Sequence, residues 1–145
     1  MQTPLSTLLE EKGTNVISVT PDTTVADCVR KMNTERIGAL LVVEGERPVG
    51  IFTERDVMTR VLDAERDPKA TRVSEVMSPD LACVGPDTTV GDALQVITEK
   101  RFRHLPVIDG NRVLGMVSIG DLTRWLVRNQ EREIQQLVNY IAGNY

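Results

Sequence analysis

Apolar residues in this chain follow two spacings. Where they recur every three or four positions, a helix with one buried face is predicted; short aliphatic runs between turn residues predict strands. Leu5, Leu8 and Leu9, between Pro4 and Gly13, predict a short first helix. Val16 to Val19 reads as a strand and Pro21-Asp22-Thr23-Thr24 as a turn. Val25, Cys28, Val29 and Met32 then mark the buried face of a helix reaching Glu35. Ala39 to Glu44 and Pro48 to Thr53 flank Gly45-Glu46-Arg47, which predicts a hairpin. From Glu54 a further helix presents Val57, Met58, Val61 and Leu62, and the polar stretch Asp63 to Thr71 is a linker. Val73 to Met77 reads as a helical turn.

The same order then recurs. Leu81 to Val84 is expected as a strand, Thr89 to Lys100 as a helix, and Leu105 to Ile108 and Arg112 to Ser118 as strands around Asp109-Gly110-Asn111. A last helix runs from Ile119 to near Gly143, with Leu122, Trp125, Leu126, Ile134, Leu137, Val138 and Ile141 on an approximate stripe. Displaced by sixty-five positions, Val19 to Val57 pairs with Val84 to Leu122 without a gap, and fourteen of thirty-nine positions are identical. The chain is therefore a tandem repeat of strand, helix, strand, strand, helix. The predicted class is α+β: two repeats packed with pseudo-twofold symmetry, each with a small mixed sheet and two helices. Neither copy alone covers both faces of a sheet, so one shared core is expected. The expected boundaries are a single module over 1–145, repeats at 14–66 and 79–130, and a C-terminal helical extension at 131–145.

Composition narrows the function classes. A net charge of -4 argues against a surface built to grip nucleic acid, which needs a basic face to neutralise phosphates. Aromatic content of 3% implies an aliphatic core. Cys28 and Cys83 show no paired spacing and are expected to be buried thiols. The first residues lack a basic segment followed by an apolar run, and no apolar stretch approaches the ~20 residues of a membrane span, so the cytoplasm is the expectation. With one histidine, no metal-ligand cluster and no phosphate-cradling glycine loop, an enzyme is the weakest reading.

The repeat is most regular at Gly50-Ile51-Phe52-Thr53-Glu54-Arg55-Asp56 and Gly115-Met116-Val117-Ser118-Ile119-Gly120-Asp121. With the doubled Pro-Asp-Thr-Thr-Val openings and His104-Leu105-Pro106-Val107-Ile108-Asp109, these segments resemble the CBS domain pair, or Bateman module. The resemblance implies binding of an adenosine ligand in clefts between the repeats: AMP first, then ATP or ADP, NAD or S-adenosylmethionine, with no obligatory cofactor. It also implies a regulated partner protein and a homodimer formed through the helix faces at Val57 to Leu62 and Leu122 to Leu126.

Thr53 and Ser118 sit where a strand enters a helix, whose free N–H groups favour phosphate. Asp56 and Asp121 could accept the two hydroxyls of a ribose, each charged hydrogen bond contributing roughly 1.5 to 3 kcal/mol. On residue types alone a helix cap is the commoner role of such pairs, as at Thr24 with Asp27 and Thr89 with Asp92. The ribose role comes from the resemblance. Arg55, Arg103 and His104 lack basic counterparts in the other copy and are candidate phosphate contacts, with solvated surface as the alternative. Arg36 and Arg101 end helices, where dipole compensation accounts for them. Ile17, Ile37 and Ala39, with Val16, Leu81 and Phe102, match the apolar slot that holds the base in relatives, or are simply core. Gly38 and Ala39 leave room where Arg103 and His104 do not, so unequal clefts are expected. A ligand-free dimerisation or adaptor scaffold is the competing reading.

Overall fold

The structure, a computed structural model, describes residues 2–13 and 16–143. The expected module ends at residues 1 and 145, and the start of repeat one at residue 14, lie outside the described residues. Helix α1 spans Leu5–Lys12 and ends at Gly13, whose φ of 96° suits glycine. Repeat one follows as β1 (Ser18–Val19), α2 (Val25–Glu35), β2 (Ala39–Glu44), β3 (Arg47–Thr53) and α3 (Glu54–Asp56), which runs into a π-helical segment at Val57–Leu62. A 3-10 turn at Val73–Glu75 leads to repeat two: α4 (Val90–Lys100), β4 (His104–Asp109), β5 (Arg112–Ser118) and α5 (Ile119–Ile141).

Helices α2 and α4 are built alike. Thr24 and Thr89 cap them, accepting from the Asp27 and Asp92 amides at 3.2 and 3.1 Å. Val25, Cys28 and Met32, or Val90, Ala93 and Ile97, form the buried face. Arg36 and Arg101 close them in the left-handed region at φ 55° and 59°. Both hairpins turn on a glycine with positive φ, Gly45 and Gly110, and pair Val42 with Gly50 and Val107 with Gly115.

The first strands of the two copies differ. In repeat one β1 pairs in parallel with β2, and the Leu41 amide donates to the Ile17 carbonyl. In repeat two the expected strand at Leu81 to Val84 is reduced to one parallel bridge, Val84 to Val107. The position equivalent to Leu41 is Pro106, which has no N–H to give, so the pairing cannot extend.

The repeats do not share one core, contrary to expectation. Val19, Val25, Cys28, Met32, Leu40, Val42, Phe52 and Val61 form one buried cluster, which is completed by Val73 and Val76 from the linker. Val90, Ala93, Ile97, Leu105, Val107, Val117 and Leu122 form the other, completed by Leu5, Leu8 and Leu9 of α1. Each repeat is thus sealed by the segment that precedes the other repeat. The backbone bonds match: Val73 N to Thr23 O and Ser74 N to Pro21 O recur as Leu5 N to Thr88 O and Ser6 N to Pro86 O. A Cβ on Gly50 would collide with the Met77 sulfur, and one on Gly115 would lie 2.7 Å from Leu9 Cδ2, so both glycines admit the incoming arm.

Two smaller expectations are also corrected. Cys28 is buried, and burial pushes its thiol up to about 11, but Cys83 is exposed because the segment around it does not enter a sheet. Of the two helix faces expected to dimerise, Leu122 is consumed by its own core, whereas Met58 and Leu62 are each 62% exposed. Beyond Leu126, helix α5 leaves Ile134, Leu137, Val138 and Ile141 exposed. Among the described residues no helix is long and apolar enough to cross a membrane.

Candidate functional site

Both strand-to-helix junctions carry a reciprocal cap. The Asp56 amide donates to Thr53 Oγ1 at 3.3 Å, and the Thr53 amide donates back to Asp56 Oδ2 at 3.0 Å. The Asp121 amide donates to Ser118 Oγ at 3.1 Å, and the Ser118 amide returns to Asp121 Oδ2 at 2.8 Å. The helix-cap role is therefore realised at both pairs. These pairs nevertheless differ from the caps of α2 and α4, which show the forward bond alone. Turning back over the strand end draws the carboxylates inward, leaving Asp56 5% exposed and the Asp121 side chain 12% exposed, against 59% for the Asp27 side chain.

The exchanged arms bring each carboxylate a partner from the other side of the sequence. Lys12 Nζ donates to Asp121 Oδ2 at 2.6 Å and to the Met116 carbonyl at 2.6 Å, while Arg124 donates to Asp121 Oδ1 at 2.8 Å. Burial raises the Asp121 pKa, but hydrogen bonds from Lys12 and Ser118 outweigh it and hold the carboxyl below its ordinary value. In repeat one the arm supplies Ser78, whose hydroxyl reaches Asp56 Oδ1 at 3.4 Å, and Arg60 Nε stands 3.6 Å from the same oxygen. One carboxylate holds two cations in hydrogen bonds; the other is met by hydroxyls, an amide and one longer ion pair. The two carboxylates are therefore held by different partners.

His104 pairs with Ser118 at the edge of the β4–β5 ladder. Burial lowers its pKa, Lys12 and Arg103 add to the effect, and Asp121 and Glu54 oppose it. Charges on α1 and on both repeats therefore influence one imidazole. Glu54 arrives because its amide donates to the Gly38 carbonyl at 3.1 Å, as Ile119 does to Arg103. Its carboxyl carbon lies 3.3 Å from where a Gly38 Cβ would be, so the space expected over Gly38 is filled by Glu54. Arg55 and Arg103 are exposed. Ile17 and Ile37 pack on the core of repeat one and Ala39 is buried, while Leu81 and Phe102 line an open cleft of about 680 Å³ with Lys100. Asp121 faces a separate groove between α1 and α5.

Lys12, Ser78, Arg60 and Arg124 escaped the sequence reading. A signal for the arms exists: Leu5, Leu8 and Leu9 match Val73, Val76 and Met77 when the displacement is sixty-eight rather than sixty-five. A gap of three residues conceals it.

The sequence profile of the CBS domain matches residues 13–63 and 73–128. A mitochondrial CBS domain-containing protein of Arabidopsis thaliana, CBSX3, is 39% identical over 99% of this chain and 74% of its own length. A solved CBS-domain structure from Burkholderia ambifaria, described as a candidate signal-transduction protein, is 39% identical with a TM-score of 0.84, over 88% of this chain and 96% of that one. A hexameric CBS-CP12 protein from bloom-forming cyanobacteria superposes with a TM-score of 0.76 at 30% identity, over 85% of this chain and 67% of its own. With both repeats matched and the doubled caps, exchanged arms and paired hairpins in place, the chain belongs to the CBS-domain family and carries that domain as a tandem pair.

Proposed function

We propose that this CBS pair is an adenosine-nucleotide sensor that binds ligand between its repeats and adjusts a partner protein. The observation that carries the reading is the pair of reciprocal caps, Thr53 with Asp56 and Ser118 with Asp121, each of which holds a part-buried carboxylate at a strand-to-helix junction. Lys12 and Arg124, both on Asp121, offer donors to phosphate, and the part-buried Asp56 and Asp121 offer acceptors to ribose hydroxyls. AMP is the first candidate, followed by ATP or ADP, NAD and S-adenosylmethionine. Proteins with this domain pair are commonly regulatory or signalling modules rather than catalysts. Two free thiols, one of them exposed, suit a reducing compartment such as the cytoplasm.

Thermal unfolding of nucleotide-stripped protein with each ligand in parallel tests this. A ligand at a hundred times its dissociation constant adds about 2.7 kcal/mol per site, a rise of roughly 5 to 10 °C for a chain of this size. The shift is expected with at least one ligand and is reduced in Asp56→Ala and Asp121→Ala. No shift with any of them at millimolar concentration overturns the reading.

A second reading is favoured by a specific surface. Met58, Leu62, Ile134 and Leu137 are exposed apolar residues on two helical segments. They suit a homodimer, and the cyanobacterial relative is itself a hexamer. A dimer that forms without any ligand, in protein that binds none, would make the chain a scaffold.

A further inference from the structure

Helices α1 and α5 enclose a groove of about 210 Å³ lined by Lys12, Arg124 and Arg128, with Glu11, Asp121 and Trp125. In a chain of net charge -4, three cations face two carboxylates in one concavity. The carboxylates do not use the donors available. Lys12 gives two N–H groups, to Asp121 and to the Met116 carbonyl, and keeps one. Arg124 gives one nitrogen of its fork to Asp121. Arg128 stands 3.7 Å from Glu11, a charge contact beyond hydrogen-bond length. Trp125 forms part of the wall. The side chains of Lys12, Arg124 and Arg128 are 40%, 64% and 58% exposed, so their remaining donors are open to an incoming acceptor.

We propose that the groove between α1 and α5 is a binding site for a phosphoryl anion, held by Lys12, Arg124 and Arg128, with Trp125 in its wall. Arginine forks match phosphate oxygens, and two of them one helical turn apart on α5 present such forks side by side. The anion can be an inorganic polyphosphate or the phosphate tail of a nucleotide. Only the second source rests on the nucleotide reading above, because Asp121 would then be the wall shared with a ribose.

Trp125 is the sole tryptophan, so intrinsic fluorescence of the full chain reports on the groove. Titration with phosphate, pyrophosphate and tripolyphosphate is expected to give a saturable change, tightest for tripolyphosphate and weaker as salt rises. Calorimetry run alongside decides a case in which binding leaves the fluorescence unchanged. In an Arg124→Gln/Arg128→Gln variant the dissociation constant should rise at least about tenfold. Both side chains are more than half exposed, at 64% and 58%, so the fold is retained. ATP that displaces tripolyphosphate, where adenosine does not, marks the nucleotide tail as the source; displacement by inorganic anions alone marks the free anion. Absence of binding by both methods, or an unchanged dissociation constant in the variant, overturns the site. AMP binding without any tripolyphosphate binding removes the groove and leaves the sensor standing, and tripolyphosphate binding with no adenosine ligand does the reverse.

Discussion

Lys12 Nζ lies 2.6 Å from Asp121 Oδ2, so a helix ahead of repeat one supplies a cation to the helix cap of repeat two. The contact spans 109 residues of chain. It follows from the exchange of arms, in which the segment preceding each repeat closes the core of the other.

Replacing Lys12 with methionine should weaken the fold. Two charge-assisted bonds are lost, each worth roughly 1.5 to 3 kcal/mol where water is excluded. Lys12 is 40% exposed, so screening reduces the net effect to about 1 kcal/mol. Urea unfolding should show a lower midpoint with an unchanged slope. An unchanged midpoint would mean that the leucines of α1 hold the arm alone.

Gly115→Ala should cost about 1 to 3 kcal/mol by overpacking against Leu9. The added Cβ would sit 2.7 Å from Leu9 Cδ2. In a Leu9→Val background the cost should shrink, since the colliding methyl is drawn back. Equal costs in both backgrounds would place the strain elsewhere.

His104 makes stability depend on pH near neutrality. Its folded pKa lies below the ordinary 6.5, chiefly through burial. As pH falls, the unfolded chain takes up the proton first, so stability drops below about pH 6.5 and levels off beneath the folded value. His104 is the only histidine, so His104→Gln should remove this slope from denaturation midpoints measured between about pH 7.5 and about pH 5. Asp121 acts in a lower window. Its folded pKa is below 3.8, so its contribution is intact above that value and is lost as pH falls through the folded pKa. Asp121→Asn should flatten the profile there.

The two carboxylates should contribute unequally to ligand binding. A ribose diol brings two donors, and an ionised carboxylate has about four acceptor positions. At Asp121 three are taken by Ser118, Lys12 and Arg124, so a cation must move aside. At Asp56 three are also taken, by the Thr53 amide, the Thr53 hydroxyl and the Ser78 hydroxyl, but the one that gives way is the neutral Ser78 hydroxyl at 3.4 Å. Asp56→Ala should therefore weaken ribose-dependent binding more than Asp121→Ala, by about tenfold in calorimetry. Equal losses in a single phase would remove the asymmetry.

Self-association should depend on the π-helical segment. Met58 and Leu62 are each 62% exposed, and burying them against a second copy would remove that apolar area from water. Met58→Glu with Leu62→Glu should convert a dimer mass to that of one chain in sedimentation. A wild-type mass of one chain at micromolar concentration would end the dimer reading.

The sequence alone determined the tandem repeat, the order of its helices and hairpins, and all four hydroxyl-to-aspartate pairs. These are local features: a buried face repeats every three or four residues, a hairpin needs its glycine, and a cap joins residues three apart. It did not separate the caps that turn a carboxylate inward from those that leave it in water, because Thr24 with Asp27 has the same spacing as Thr53 with Asp56. Tertiary structure decided that, together with the exchange of arms, the partnership of Lys12 with Asp121, the filling of Gly38 by Glu54 and the burial of Leu122 in place of Met58. Each joins segments far apart in the chain, where the outcome depends on which surfaces pack rather than on any local period. Pro106 lies between the two cases: its missing N–H is legible in the sequence, but only the parallel pairing of β1 with β2 shows that repeat two needed it.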